Sequence, residues 1–68
     1  MLNLLRMKDV ATGITVYVRN HGFRNTGYEA VIEKVNAKSV VVDGKRFTAK
    51  NNGAYYRCEA TDQILYLV

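Results

Sequence analysis

Ser39-Val40-Val41-Val42-Asp43-Gly44-Lys45-Arg46-Phe47 decides the architecture of this chain. A β-branched run enters Asp-Gly, a pair suited to a type I′ turn because both central positions need positive φ, and the chain returns through Lys45-Arg46-Phe47-Thr48-Ala49. This predicts an antiparallel hairpin reversing at residues 43 and 44.

On the N-terminal side, Asn36-Ala37 predicts a second tight reversal, preceded by β-type sequence over residues 28–35. There Ala30-Val31-Ile32 places three apolar residues in a row and Val35 falls out of step with Ile32, a pattern that a bulge or strong bend reconciles. Further back, Ile14-Thr15-Val16-Tyr17-Val18-Arg19 alternates with period two and predicts a half-buried strand with Ile14, Val16 and Val18 inward. Residues 20–27, Asn-His-Gly-Phe-Arg-Asn-Thr-Gly, are rich in types that tolerate positive φ and read as the longest loop.

On the C-terminal side, Lys50-Asn51-Asn52-Gly53 is a turn cluster and residues 54–59 alternate again. Ala60-Thr61-Asp62-Gln63 is expected to form one helical turn before a last strand, Ile64-Leu65-Tyr66-Leu67-Val68. Five or six short strands, with no amphipathic helix long enough to cover a sheet, predict an all-β fold in which the sheet curls on itself as a small antiparallel barrel. The 68 residues make one domain at most. Residues 1–12 have two readings: a dispensable extension ahead of an alternative start at Met7, or an N-terminal arm or extra strand packed on the core.

The order of these elements resembles an SH3-like barrel. Within it, Gly27 and residues 31–44 are similar to the second half of the KOW motif of ribosomal and transcription-elongation proteins. Ile32 and Val35 stand for its apolar pair, and Val40, Val42 and Gly44 for its hairpin; Gly27 lies further from the pair than the family's glycine does. The size, the sparse punctuation and the Tyr55-Tyr56-Arg57 segment also resemble short barrel proteins of tailed bacteriophages. A shared fold does not carry function with it.

Composition narrows the classes. Apolar residues make up 49% and charged residues 24%, the balance of a folded domain. Cys58 is the one cysteine, which excludes an internal disulfide and fits a reducing, cytoplasmic compartment. No apolar run approaches the ~20 residues of a spanning helix, so no membrane association is expected. His21 is the one histidine, and it and Cys58 have no evident partners for a metal cluster or a Cys-His dyad. Glu29 and Glu33 lie four apart on a strand, too far for a tight carboxylate pair. The sequence therefore predicts a non-enzyme without metal or cofactor.

The positive signal is charge interleaved with aromatic rings. Ten Lys and Arg oppose six Asp and Glu, and between Arg19 and Arg57 eight basic residues (Arg19, Arg24, Lys34, Lys38, Lys45, Arg46, Lys50, Arg57) face three acids (Glu29, Glu33, Asp43). Phe23-Arg24, Lys45-Arg46-Phe47 and Tyr55-Tyr56-Arg57 mix cations that hold phosphates with rings that stack on bases. The residues expected to contact DNA or RNA are Arg19, Phe23, Arg24, Lys45, Arg46, Lys50, Tyr55 and Arg57, with Lys45 and Arg46 exposed together beside the hairpin turn. Tyr55 and Tyr56, adjacent in a strand, must face opposite sides. The competing reading places Phe47, one of these tyrosines and Tyr66 in the core, with the cations merely solvating the outside. A protein-interaction module is the other functional class, engaging an acidic protein surface or self-associating as a homo-oligomer through the apolar edges at residues 2–5 and 64–68.

Overall fold

A computed structural model of the chain describes residues 3–20 and 26–68. After a 3₁₀ turn (Met7–Asp9) come six strands: β1 (Thr15–Asn20), β2 (Gly27–Val35), β3 (Ser39–Val42), β4 (Lys45–Lys50), β5 (Tyr55–Cys58) and β6 (Gln63–Leu67). Each pairs antiparallel with its successor, and β6 returns to pair with β1, so the meander closes into a barrel. No described helix is long and apolar enough to cross a membrane.

The hairpin forms where Asp43-Gly44 predicts it. Both residues have positive φ (53° and 71°), and the flanking pairs run from Val42 opposite Lys45 to Ser39 opposite Thr48. The bend in β2 is a register shift between Ile32 and Lys34, which takes up the extra residue that breaks the apolar alternation. Every strand sends at least one fully covered apolar side chain inward: Val16 and Val18 from β1, Ile32 from β2, Val40 and Val42 from β3, Phe47 from β4, Tyr56 from β5 and Leu65 from β6. Of the inward positions expected on β1, Ile14 lies just before the strand and is only half-buried against this core.

One expectation is resolved differently. Residues 59–62 form a reversal between β5 and β6 in place of a helical turn; Asp62 takes φ 53°, which a right-handed turn cannot accommodate, and Gln63 already belongs to β6. Ahead of β1, residues 3–5 lie along the barrel. Leu5 is fully buried in the core, the Leu5 N–H donates to the Leu65 carbonyl (3.2 Å), and the Leu67 N–H donates to the Asn3 carbonyl (2.7 Å). β5 pairs with β6 only at residues 63 and 64, and beyond that point the arm occupies the same edge, with Leu4 opposite Tyr66. Both edges of β6 are thus paired within the chain.

One end of the barrel is plugged by polar side chains. Lys45 Nζ donates to Gln63 Oε1 (3.2 Å) and Tyr28 OH (3.4 Å), and the Tyr28 hydroxyl donates to Asp43 Oδ2 (3.0 Å). Gln63, only 5% exposed, also accepts from the Thr61 hydroxyl (2.8 Å) and donates through Nε2 to Asn20 Oδ1 (2.7 Å). Asn20 Nδ2 in turn donates to Thr26 Oγ1 (2.8 Å). Each buried polar atom of the network is matched, the condition under which such a plug is stabilising rather than costly.

Candidate nucleic-acid interface

Strand alternation divides the expected site residues between two faces. On β4, Phe47 points inward, so Lys45 and Ala49 share its face while Arg46, Thr48 and Lys50 point out. Lys45 and Arg46 therefore do not form an exposed pair: Lys45 belongs to the polar plug, and Arg46 alone is exposed. On β5, Tyr56 is in the core and Tyr55 and Arg57 face outward, half-buried. Phe23 and Arg24 lie outside the described residues, as do His21 and most of the 20–27 loop.

The outward cations of β4 and β5 are partly neutralised. Lys50 pairs with Glu59, and Arg57 donates from Nε (3.1 Å) and Nη2 (2.7 Å) to Asp62 Oδ1. Both acids come from the β5–β6 reversal, just past the window in which the sequence shows its basic excess. The hydrogen bond from Lys50, and then its charge, hold the Glu59 carboxyl below the ordinary carboxylate range. The bond to Asp62 pushes the Arg57 guanidinium further up.

What the fold assembles instead is a row across three strands. Arg19 of β1 and Arg57 of β5 are both in register with Ile64 of β6. Ile64 points out yet is only 9% exposed, with an arginine in register on either side. The next outward pair is Tyr17 opposite Tyr66, with the Arg19 guanidinium 5.9 Å from the centre of the Tyr66 ring, within reach of a cation–π contact. The Tyr17 ring lies over Gly27, where a Cβ would come within 2.6 Å of it and would also collide with the Val18 carbonyl. Gly27 is required there by close approach.

A second row repeats the arrangement. Val41 of β3 stands between Lys34 of β2 and Arg46 of β4. Arg46 lies diagonally across from Arg57, since Thr48 is the residue opposite Arg57, at the ~7–8 Å typical of such neighbours. The outer surface thus carries a belt of Lys34, Arg46, Arg57 and Arg19, with Tyr17 and Tyr66 beside its β1–β6 end.

Of the residues expected from sequence, Arg19, Arg46 and Tyr55 face outward, as do Arg57, tied to Asp62, and Lys50, tied to Glu59; Lys45 faces in. Tyr17, Tyr66, Ile64 and Lys34 were not singled out. For Tyr17 the signal is present in its position between Val16 and Val18, which fixes it outward beside Arg19. Tyr66, assigned to the core in the competing reading, is half-buried on the outer face because Leu65 takes the inward position. Cys58 is buried and free, and among the described residues no group of three or more His, Cys, Asp or Glu side chains is placed to hold a metal ion.

Compared with protein-family models, curated proteins and solved structures, the chain matches none of them.

Proposed function

We propose that this barrel is a non-enzymatic binding module for nucleic acid, engaged through its outer face at β1, β6 and β5. The observation that carries the reading is the Arg19–Ile64–Arg57 row with Tyr66 and Tyr17 beside it: two cations in register on either side of one apolar residue, next to half-buried rings. Cations set at strand spacing engage phosphates, and a ring with an accessible face stacks on an unpaired base. Arg46 and Lys34 extend the positive surface. The SH3-like and KOW-like resemblance supports the same class through Ile32, Val40, Val42 and Gly44, and is weakened at Val35, which is 36% exposed. The likeness to small phage barrels and a cytoplasmic setting belong to this proposal as well, the latter resting on the unpaired Cys58.

A second reading, binding of a protein partner, is favoured by Val31 and Val35, two exposed apolar residues of β2 (48% and 36%). The test is a fluorescence titration of labelled single-stranded DNA, RNA and duplex at low and moderate salt. About 3–5 phosphate contacts are expected, with log affinity falling linearly in log salt. Arg19→Gln with Arg57→Gln should shallow that slope by about 2 contacts. Undetectable binding at low salt, or a double variant that behaves as wild type, would transfer the assignment to a protein partner, to be sought by pulldown with and without nuclease.

A further inference from the structure

Three cations that the belt does not use, Arg6, Lys8 and Lys38, lie around the turn between β4 and β5. Arg6 and Lys8, both exposed and flanking the 3₁₀ residue Met7, line a groove of about 520 Å³ together with Asn51, Asn52 and Gly53. Lys38 lines an adjoining groove that shares Asn52 and Gly53. No acidic residue lines either groove. The nearest acid in sequence, Asp9, accepts the Arg6 backbone N–H (3.4 Å).

The turn itself is unusual. Asn51, Asn52 and Gly53 all have positive φ (49°, 58° and 87°), a left-handed run that ordinary residues resist. It is wedged in place: a Cβ on Gly53 would stand 2.8 Å from the Met7 Cβ, and the Met7 N–H donates to the Gly53 carbonyl (2.9 Å). Gly53 and Ala54 return their N–H groups to the Lys50 carbonyl (3.0 Å each). Among the described residues, neither the backbone N–H nor the side-chain amide of Asn51 or Asn52 has a protein partner.

We propose that this groove is a phosphate-binding site. Successive N–H donors of a fixed turn form a concavity suited to a small anion, and the Arg6 fork and the Lys8 ammonium supply the charge that a tetrahedral dianion requires. Lys38 stands beside it as a third cation. The site shares no residue with the outer belt, so it stands or falls independently of the reading above.

The test follows the backbone amides of ¹⁵N-labelled protein by NMR as inorganic phosphate is added at constant ionic strength, with chloride as the control. The Asn51 and Asn52 amide signals should shift saturably with phosphate and not with chloride. Arg6→Gln with Lys8→Gln, both at exposed positions, should weaken the apparent affinity by roughly tenfold or more, and Lys38→Gln by less. Equal shifts with chloride, shifts that avoid residues 51–53, or an unchanged double variant would overturn the proposal. A 5′-phosphorylated dinucleotide is titrated alongside its 5′-hydroxyl form. A preference for the phosphorylated form over inorganic phosphate assigns the site to a nucleotide phosphate, and equal affinity assigns it to the free ion.

Discussion

Arg19 and Arg57 flank the same residue, Ile64, from the strands on either side of β6, which places their backbones two strand spacings, about 10 Å, apart. Their spacing is set by the strand between them. Ile64→Ala should therefore act through geometry. We expect a stability loss of about 2 kcal/mol, at the low end for an isoleucine truncation because the site lies on the outer face. Nucleic-acid affinity should also fall, but its salt slope should stay as in wild type, since no cation is removed. Denaturant melts and salt-dependent titrations of the one variant check both.

Lys45 gives the opposite expectation. Its ammonium is tied to Gln63 and Tyr28 inside the barrel end, so Lys45→Glu should unsettle the plug, costing about 1–3 kcal/mol, the range for leaving buried polar partners unmatched. Arg46→Glu, exposed on the outer face, should leave the melt almost unmoved and weaken nucleic-acid binding. Equal melting of the two variants would contradict the placement of Lys45.

Leu5 is expected to matter more than its place near the start of the chain suggests. It is fully buried in the core, and Leu5→Ala should cost about 2–5 kcal/mol, a large share of the stability of a domain this small. A chain begun at Met7 should be destabilised further, because it also leaves the β6 edge uncovered. Chemical denaturation of the three proteins would show the order.

Tyr56 supplies a pH dependence. Burial raises its pKa above the ordinary tyrosine value. The folded state thus holds the phenol proton more tightly than the unfolded chain does. The stability this contributes is fully present below the unfolded pKa, about 10, and is lost as pH rises through the folded value. Tyr56→Phe should flatten the alkaline limb of a stability–pH curve, measured by denaturant melts, and leave neutral pH much less affected.

How much of this was legible in the sequence depended on the range of the interaction. Asp43-Gly44 announced the hairpin because a type I′ turn is decided by its own two residues. The bend in β2 was readable from the clash between Ala30-Val31-Ile32 and a period of two. The inward position of Lys45 was available from the same rule, two residues from Phe47 on one strand, but the hairpin turn beside it suggested exposure. The pairing of Lys50 with Glu59 and Arg57 with Asp62 was not legible. It depends on how the β5–β6 reversal folds back, and a helical turn at residues 60–63 would have aimed those acids elsewhere. The Arg19–Ile64–Arg57 row lay further still from local reading, because it joins the first strand to the last two.

The bond between the Leu67 N–H and the Asn3 carbonyl makes the covalent order of the strands almost arbitrary. Residues 3 and 67 are neighbours, so a short linker from residue 68 back to residue 3 would turn the chain into a continuous loop without moving a strand. Such a loop can be reopened at the reversal between residues 59 and 62, where the backbone is exposed and pairs with no other strand. A circular permutant cut there would keep the same barrel while making β6 its first strand and β5 its last. The sheet would still close, but through the β5–β6 pair, which has only two registered residue pairs, and that shorter seam would then have to form between distant parts of the chain.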